Sequence, residues 1–353
     1  MLTVKDAFPE PGTIHTALEM AVRAPSLHNS QPWRWRIGER SIHLYADHSR
    51  NLESTDPDGR ELIISCGAAL HHLRVSLSAL GWSCTIHRLP DRSDPRHLAA
   101  IELEPTEPSA DAVVLAAQIS RRRSDRRPYR PSELPPFAVT QINRNAAAYG
   151  ATVRFVTDPH SRHELALAVA EADDIESIDV GYRNEVQAWS GQHFGSDDGV
   201  PARSVPPDAA YDGVRLRHFA HPEMPAQGSI GGTDSTDSDV GTLIVLGTAT
   251  DDLYSWLLTG EATGTILLTA TGFGLSSCPL TQPLEVARTR RLVRDAVLGG
   301  TAHPQMILRV GFPIADREPP ATPRRSVAEV LDVYDAATAA RRSRRSTEPV
   351  AGA

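Results

Sequence analysis

GAALHHLRVSLSALGWSC, running from Gly67 to Cys84, returns in altered form as GEATGTILLTATGFGLSSC from Gly260 to Cys278. In each copy fourteen positions separate two glycines, Gly67 from Gly81 and Gly260 from Gly274, and a short Ser- and Cys-bearing stretch leads into a strand-like segment. Glycine is the common stop of a helix, so two unrelated helices could share these marks by chance. The surrounding order also agrees: a helix, a strand, the long apolar helix and a further strand occur in both places. The reading is an internal duplication, two half-units along one chain.

Composition fits that reading. At 353 residues the chain is too long for one ordinary core. Its 40% hydrophobic and 23% charged residues are usual for a globular protein. The net charge of −8 argues against a general nucleic-acid or acidic-membrane partner. Lys5 is the only lysine, so positive charge is almost all arginine. Cys66, Cys84 and Cys278 are odd in number, far apart and set in apolar stretches, which points to reduced, buried thiols. No signal-like core opens the chain and no run approaches the ~18 apolar residues of a membrane span. The expectation is a cytoplasmic protein. The first half-unit is placed at 1–110 and the second at 111–335, with an irregular Gly-, Ser-, Asp- and Pro-rich loop at 190–240 and a tail at 336–353.

Coarse patterning predicts helices at Thr13 to Ala24, Glu61 to Leu80, Val139 to Ala148, Ser161 to Gln187 and Asp251 to Thr271. A further helix ends at the arginine run. Strands are expected at WRWRI, SIHLYA, SCTIHRL, VRFV, TLIVLGT and QMILRVG.

Two motifs carry chemistry. ISRRRSDRRPYR spans Ile119 to Arg130. In an extended segment Arg122, Ser124 and Arg126 share one face, since strand side chains alternate. Arginine forks with a hydroxyl between them suit phosphate. A solvated basic patch is the bland alternative, and a nucleic-acid contact a third. RAPSLHNSQPWRW spans Arg23 to Trp35. Pro25 and Pro32 stiffen both ends of a turn whose Ser26, Asn29 and Gln31 can meet the edge of a flat heterocycle. An ordinary helix-to-strand loop would use the same residue types. His28 reads as a loop histidine, and His71 and His72 as structural.

Together the motifs resemble the FMN-binding signatures of the nitroreductase family, whose members carry Arg-x-Ser-x-Arg/Lys and Pro-Ser-x-x-Asn-x-Gln-Pro-Trp. GEATGTILLTATGFGLSSCPLTQP resembles that family's long helix and flavin-contacting loop, QMILRVGFP its penultimate strand, and TPRRSVAEVL its C-terminal arginine. The two-in-one layout is similar to the Acg branch. The resemblance implies an α+β fold in which two tandem half-units form an intramolecular pseudo-dimer, so that the chain works as a monomer. It implies one FMN per chain, because the Pro-Ser turn occurs only in the first half and Arg-x-Ser-x-Arg only in the second. Arg122 and Ser124, with Arg325 or Arg324, would bind the phosphate end. Arg126 would face the pyrimidine side of the ring. Pro25, Ser26, Leu27 and Asn29 would line it from the other half. Pro279, Leu280, Thr281 and Gln282 would lie near N5, although Thr281 and Gln282 replace the acidic residue and glycine found in many members. The implied activity is NAD(P)H-dependent reduction of a nitroaromatic or quinone-like acceptor through flavin N5, with no metal and no catalytic side chain. A flavin-sequestering protein, its single site covered by the 190–240 loop, is the competing reading.

Overall fold

The structure is a computed structural model, in which residues 8–191, 196–205, 210–211, 214–215, 217, 219, 241–314 and 318–332 are described. The expected tail and much of the expected loop lie outside these residues. The first half-unit comprises α1 (Pro11–Ala21), β1 (Trp33–Ile37), β2 (Ser41–Ala46), α2 (Arg60–Ala79), β3 (Trp82–Arg88) and β4 (His97–Pro105). Then come α3 (Ala110–Ile119), α4 (Pro136–Ala147), β5 (Thr152–Val156), α5 (Pro159–Ile178), α6 (Val180–Ala188) and a short ladder of β6 (Ala210–Tyr211) with β7 (Val214–Arg215). The chain continues through β8 (Thr242–Thr248), α7 (Leu253–Gly272), β9 (Ser276–Pro279), α8 (Gln282–Glu285), α9 (Ala287–Leu292), β10 (His303–Gly311), α10 (Val327–Val330) and β11 (Leu331–Asp332).

The two half-units share one topology. The first sheet runs β11-β1-β2-β4-β3 and the second β5-β8-β10-β9. In both, the first two strands pair, a 20-residue helix follows (α2 or α7), and the last two strands return in reversed spatial order. Every pairing within these four-strand sets is antiparallel. The fold is the expected α+β pseudo-dimer. β11 lies outside these sets: it leaves the second half and pairs in parallel with β1, Leu331 opposite Trp35.

Glycine sets how closely the halves approach. A Cβ on Gly67 would lie 2.2 Å from the Leu257 carbonyl oxygen, and one on Gly260 would lie 2.0 Å from that of Ile64. The two repeat glycines are therefore the contact point at which α2 and α7 cross backbone to backbone. Both helices are buried along nearly their whole length. Helix α2 is long and apolar enough to cross a membrane, contrary to the expectation that no segment would be, yet 83% of its apolar window is buried inside the fold. It is a core helix. The three cysteines are free, with Cys66 and Cys278 buried and Cys84 half-buried.

Two local expectations need correction. The helix expected from Ser161 to Gln187 is two helices, because Asp179 turns extended and its carboxylate accepts from the Tyr182 N–H at 3.0 Å to start α6. The strand β4, central in its sheet, was not foreseen. Its Ala-rich start and exposed Glu102 and Glu104 dilute the apolar alternation that would mark it.

Candidate active site

A cavity enclosing about 1190 Å³ of atom-free space, partly open to solvent, lies between the halves. Twelve of the fourteen residues expected at a site line it: Pro25, Ser26, Leu27 and Asn29 from the turn, Arg122, Ser124 and Arg126 from the arginine stretch, Pro279, Leu280, Thr281 and Gln282 after β9, and Arg324. Gln31 and Arg325 do not. Gln31 is fully buried and holds the turn from behind: its amide donates to Asp197 O at 2.7 Å, and its Oε1 accepts from Arg325 N at 2.8 Å. Arg325 reaches back to Gln31 O and Glu329 O. The choice between the neighbouring arginines falls to Arg324.

The turn is strained and tightly tied. His28, Asn29 and Gln31 have φ of 45°, 58° and 51°. Left-handed backbone is unusual for residues other than glycine and persists where surroundings over-determine it. Here the ties are several. Ser26 Oγ accepts from Gln31 N at 3.0 Å, Leu27 N donates to Ser65 Oγ of α2 at 3.2 Å, and Asn29 Nδ2 donates to Gly199 O and Pro323 O at 3.1 Å each.

The alternation expected of the arginine stretch holds in space. Ser124 bridges Ser277 of β9 and Asp125 N donates to Ser277 O at 2.9 Å, which keeps the segment extended. Arg122, Ser124 and Arg126 face the cavity, whereas Arg121, Arg123, Asp125 and Arg127 face a groove on the other side.

One corner of the cavity is strongly positive. Arg122 is buried; its Nη2 donates to Arg23 O at 3.2 Å, and its Nε and Nη1 have no partner among the described residues. Arg324 Nη1 donates to Asn29 Oδ1 at 2.8 Å, and its buried Nε is also unpartnered among them. Burial, then the Arg123 charge, pulls the Arg122 guanidinium down to about 10. Burial, then Arg122, pulls Arg324 down to about 9. His72 stands beside them and is held neutral by burial and both arginines. Two buried cations with unpartnered donors make a corner suited to an oxyanion.

The other end is acidic and was missed by sequence reasoning. Glu61, in the first turn of α2, is 3% exposed and lines the cavity with Arg217, Phe219 and His28. His28 is buried, both ring nitrogens lack a partner among the described residues, and burial with Arg217 and Arg126 keeps it neutral. It sits on the turn between α1 and β1, as expected, and forms part of the cavity wall. Arg217 pairs with Glu285 and contacts the Tyr182 hydroxyl. Burial, then Glu285, raises the Glu61 carboxyl to about 8, and the same two causes raise Glu176 to about 8. Such carboxyls bind more protons folded than unfolded, so their contribution to stability falls as pH rises from the ordinary carboxylate range near 4.3 to about 8. Thermal melts of the wild type should therefore show a lower Tm at pH 8 than at pH 6, and Glu61→Gln should flatten that slope; equal slopes would contradict the assignment.

The duplicate position differs in its chemistry. Ala68, one residue after Gly67, lines the cavity. Glu261, one residue after Gly260, is instead fully buried and takes a bidentate pair from Arg88 at 2.6 and 2.9 Å. Tyr149, held by Arg74, stands nearby.

Fold and site thus define a two-half α+β protein with an interfacial cavity that combines a positive corner with a tightly tied turn. No protein-family model matches the chain. A Mycobacterium tuberculosis protein that carries the name NAD(P)H nitroreductase, Rv3131, is 43% identical over 326 residues, 92% of each chain. The Mycobacterium tuberculosis protein named NAD(P)H nitroreductase acg is 35% identical over 331 residues, 93% of this chain and 98% of the relative. Among solved structures, the FMN-dependent nitroreductase NfnB of Mycobacterium smegmatis in complex with NADPH is similar over 64% of this chain and 99% of its own, at 16% identity and a TM-score of 0.40. The chain belongs to the NAD(P)H nitroreductase family that includes Acg.

Proposed function

We propose that this protein binds one FMN in the interfacial cavity and uses NAD(P)H to reduce a nitroaromatic or quinone-like acceptor. The observation that carries the reading is the pair of buried arginines, Arg122 and Arg324, with unpartnered donors in a cavity of about 1190 Å³ between the halves. Arg122, Ser124 and Arg324 would hold the phosphate end. Pro25, Ser26, Leu27 and Asn29 would pack along the ring from one half, with Arg126 and Pro279 to Gln282 from the other. The Leu280 N–H is committed to Ile307 O at 2.9 Å, so a donor toward the ring would have to come from a neighbouring residue. When bound, FMN supplies hydride transfer between nicotinamide and acceptor. The names of the relatives support NAD(P)H as donor. The Arg88–Glu261 pair at the duplicate position supports one flavin per chain.

Sequestration of FMN is the second reading, favoured by the segment that straps the cavity. Gly199, Val200, Arg217 and Phe219 line it, and Asp197 and Asp198 tie that segment to Gln31 and Arg50. Anaerobic titration of the yellow protein with NADH or NADPH decides between them. Bleaching of the flavin absorbance is expected; full absorbance with both donors would leave sequestration as the function, and a colourless protein that takes up no FMN would refute both.

A further inference from the structure

Two-electron reduction of a quinone-type acceptor consumes two protons. One travels with the electron pair as hydride; the other needs a source inside a cavity whose lining histidine, His28, is neutral and a poor donor. We propose that Glu61 is that source, a catalytic proton donor on the wall remote from the phosphate corner. The inference rests on the function proposed above and extends it to a residue outside the flavin-binding motifs.

Position is the first argument. Glu61 and His72 are eleven residues apart on α2, about 16 Å along the axis at 1.5 Å per residue. Since His72 marks the arginine corner, Glu61 stands where the reacting end of a molecule anchored there would lie.

Charge is the second. Four acids converge at this end: Asp56 from the loop before α2, Glu61 itself, Glu176 from α5 and Glu285 from α8. Two arginines face them. Arg60 Nη2 donates to Glu61 Oε1 at 2.8 Å while its Nη1 donates to Gln305 O at 2.6 Å, and Arg217 is taken by Glu285 and the Tyr182 hydroxyl. With more acids than cations in a buried volume, the cluster retains protons at neutral pH. Of its carboxyls, Glu61 lines the cavity.

The step balances. Hydride adds to the acceptor, the Glu61 O–H bond breaks as an acceptor O–H bond forms, and the quinol leaves. The carboxylate that remains is held by Arg60 and regains its proton from water before the next turnover.

The test uses the flavin-loaded full chain and Glu61→Gln. Wild type reduced anaerobically and mixed with a benzoquinone should be oxidised at a constant rate up to about pH 8 and more slowly above it, because the donor must be protonated. Glu61→Gln should be slower by tenfold or more and lack that break, and Glu61→Asp should restore it. A second readout is the flavin midpoint potential against pH. The negative charge gained by the reduced ring would favour the protonated Glu61 carboxyl, so above pH 8 reduction should draw one further proton. Each proton taken up with two electrons adds about 30 mV per pH unit, so the wild-type slope should steepen by that amount there and the variant slope should not. Identical profiles and slopes in wild type and variant, with both bleached by reduced nicotinamide, would overturn the role of Glu61 and leave the proposed function standing. If Glu61→Gln does not fold, a wild-type slope and rate without any break between pH 6.5 and 9.5 overturns it alone. Failure of wild type to bleach would instead strike the function first.

Discussion

Gly260→Ala is expected to unfold or severely loosen the protein although it adds one methyl group. Its Cβ would stand 2.0 Å from Ile64 O, 2.7 Å from Gly67 Cα and 2.9 Å from Ala68 N. All three are backbone atoms, and backbone in a helix cannot swing aside as a side chain can. The helices α2 and α7 would have to part by roughly an ångström, opening the interface along both. Overpacking a well-packed core usually costs about 1–3 kcal/mol; a clash with backbone on a crossing that joins both half-units belongs at or above the top of that range. Gly272→Ala is the control, since its Cβ would meet nothing closer than Gln118 Cγ at 3.6 Å. It should be neutral or stabilise by a few tenths to 1 kcal/mol through lost unfolded-state entropy. Urea midpoints of the two variants check this, and equal midpoints would show that the crossing is not the tight contact described.

Arg122→Ala and Arg324→Ala are expected to act oppositely on binding and on stability. Each charged hydrogen-bonding group is worth about 1.5–3 kcal/mol to an anion, so FMN affinity should fall roughly 10- to 150-fold per variant. The apoprotein should gain stability, because each guanidinium is buried beside another cation and is held below its ordinary pKa of 12.5 by that environment. Removing one relieves repulsion and frees the other. FMN titration and apoprotein melts measure the two effects. A lower apoprotein Tm in both variants would mean that these arginines serve the fold and not a ligand. The opposite signs follow from a general trade: a site built for an anion is strained without it.

The candidate site was partly legible because some of its features are local. Proline and glycine limit the backbone wherever they stand, so the turn between Pro25 and Pro32 and the stops at Gly81 and Gly274 could be read from residue type. Alternation along an extended chain is equally local, and it placed Arg122, Ser124 and Arg126 on one face. The choice of Arg324 over Arg325 was not local. Arg324 is drawn to Asn29 and Ala24 O, whereas Arg325 is drawn to Gln31 O, and both sets of partners lie nearly three hundred residues away.

Glu61 was invisible for a related reason. At a helix start an acidic residue ordinarily meets solvent and the helix dipole. Nothing in RELIISCG says that Arg217 and Glu285 will be packed against it. The same holds for β11, two residues whose place in the first sheet depends on where the second half delivers them.

By itself the sequence determined the two-half α+β plan, the rigid turn, the shared face of Arg122, Ser124 and Arg126 and the glycine pair, because each follows from backbone freedom or side-chain alternation within a few residues. Tertiary structure alone decided that the cavity behind the turn opens between the halves while Arg88 and Glu261 pair at the duplicate position, and that this cavity is positive at one end and acidic at the other. Burial and unlike charges brought together from distant segments set those properties, and neither has a signature along the chain.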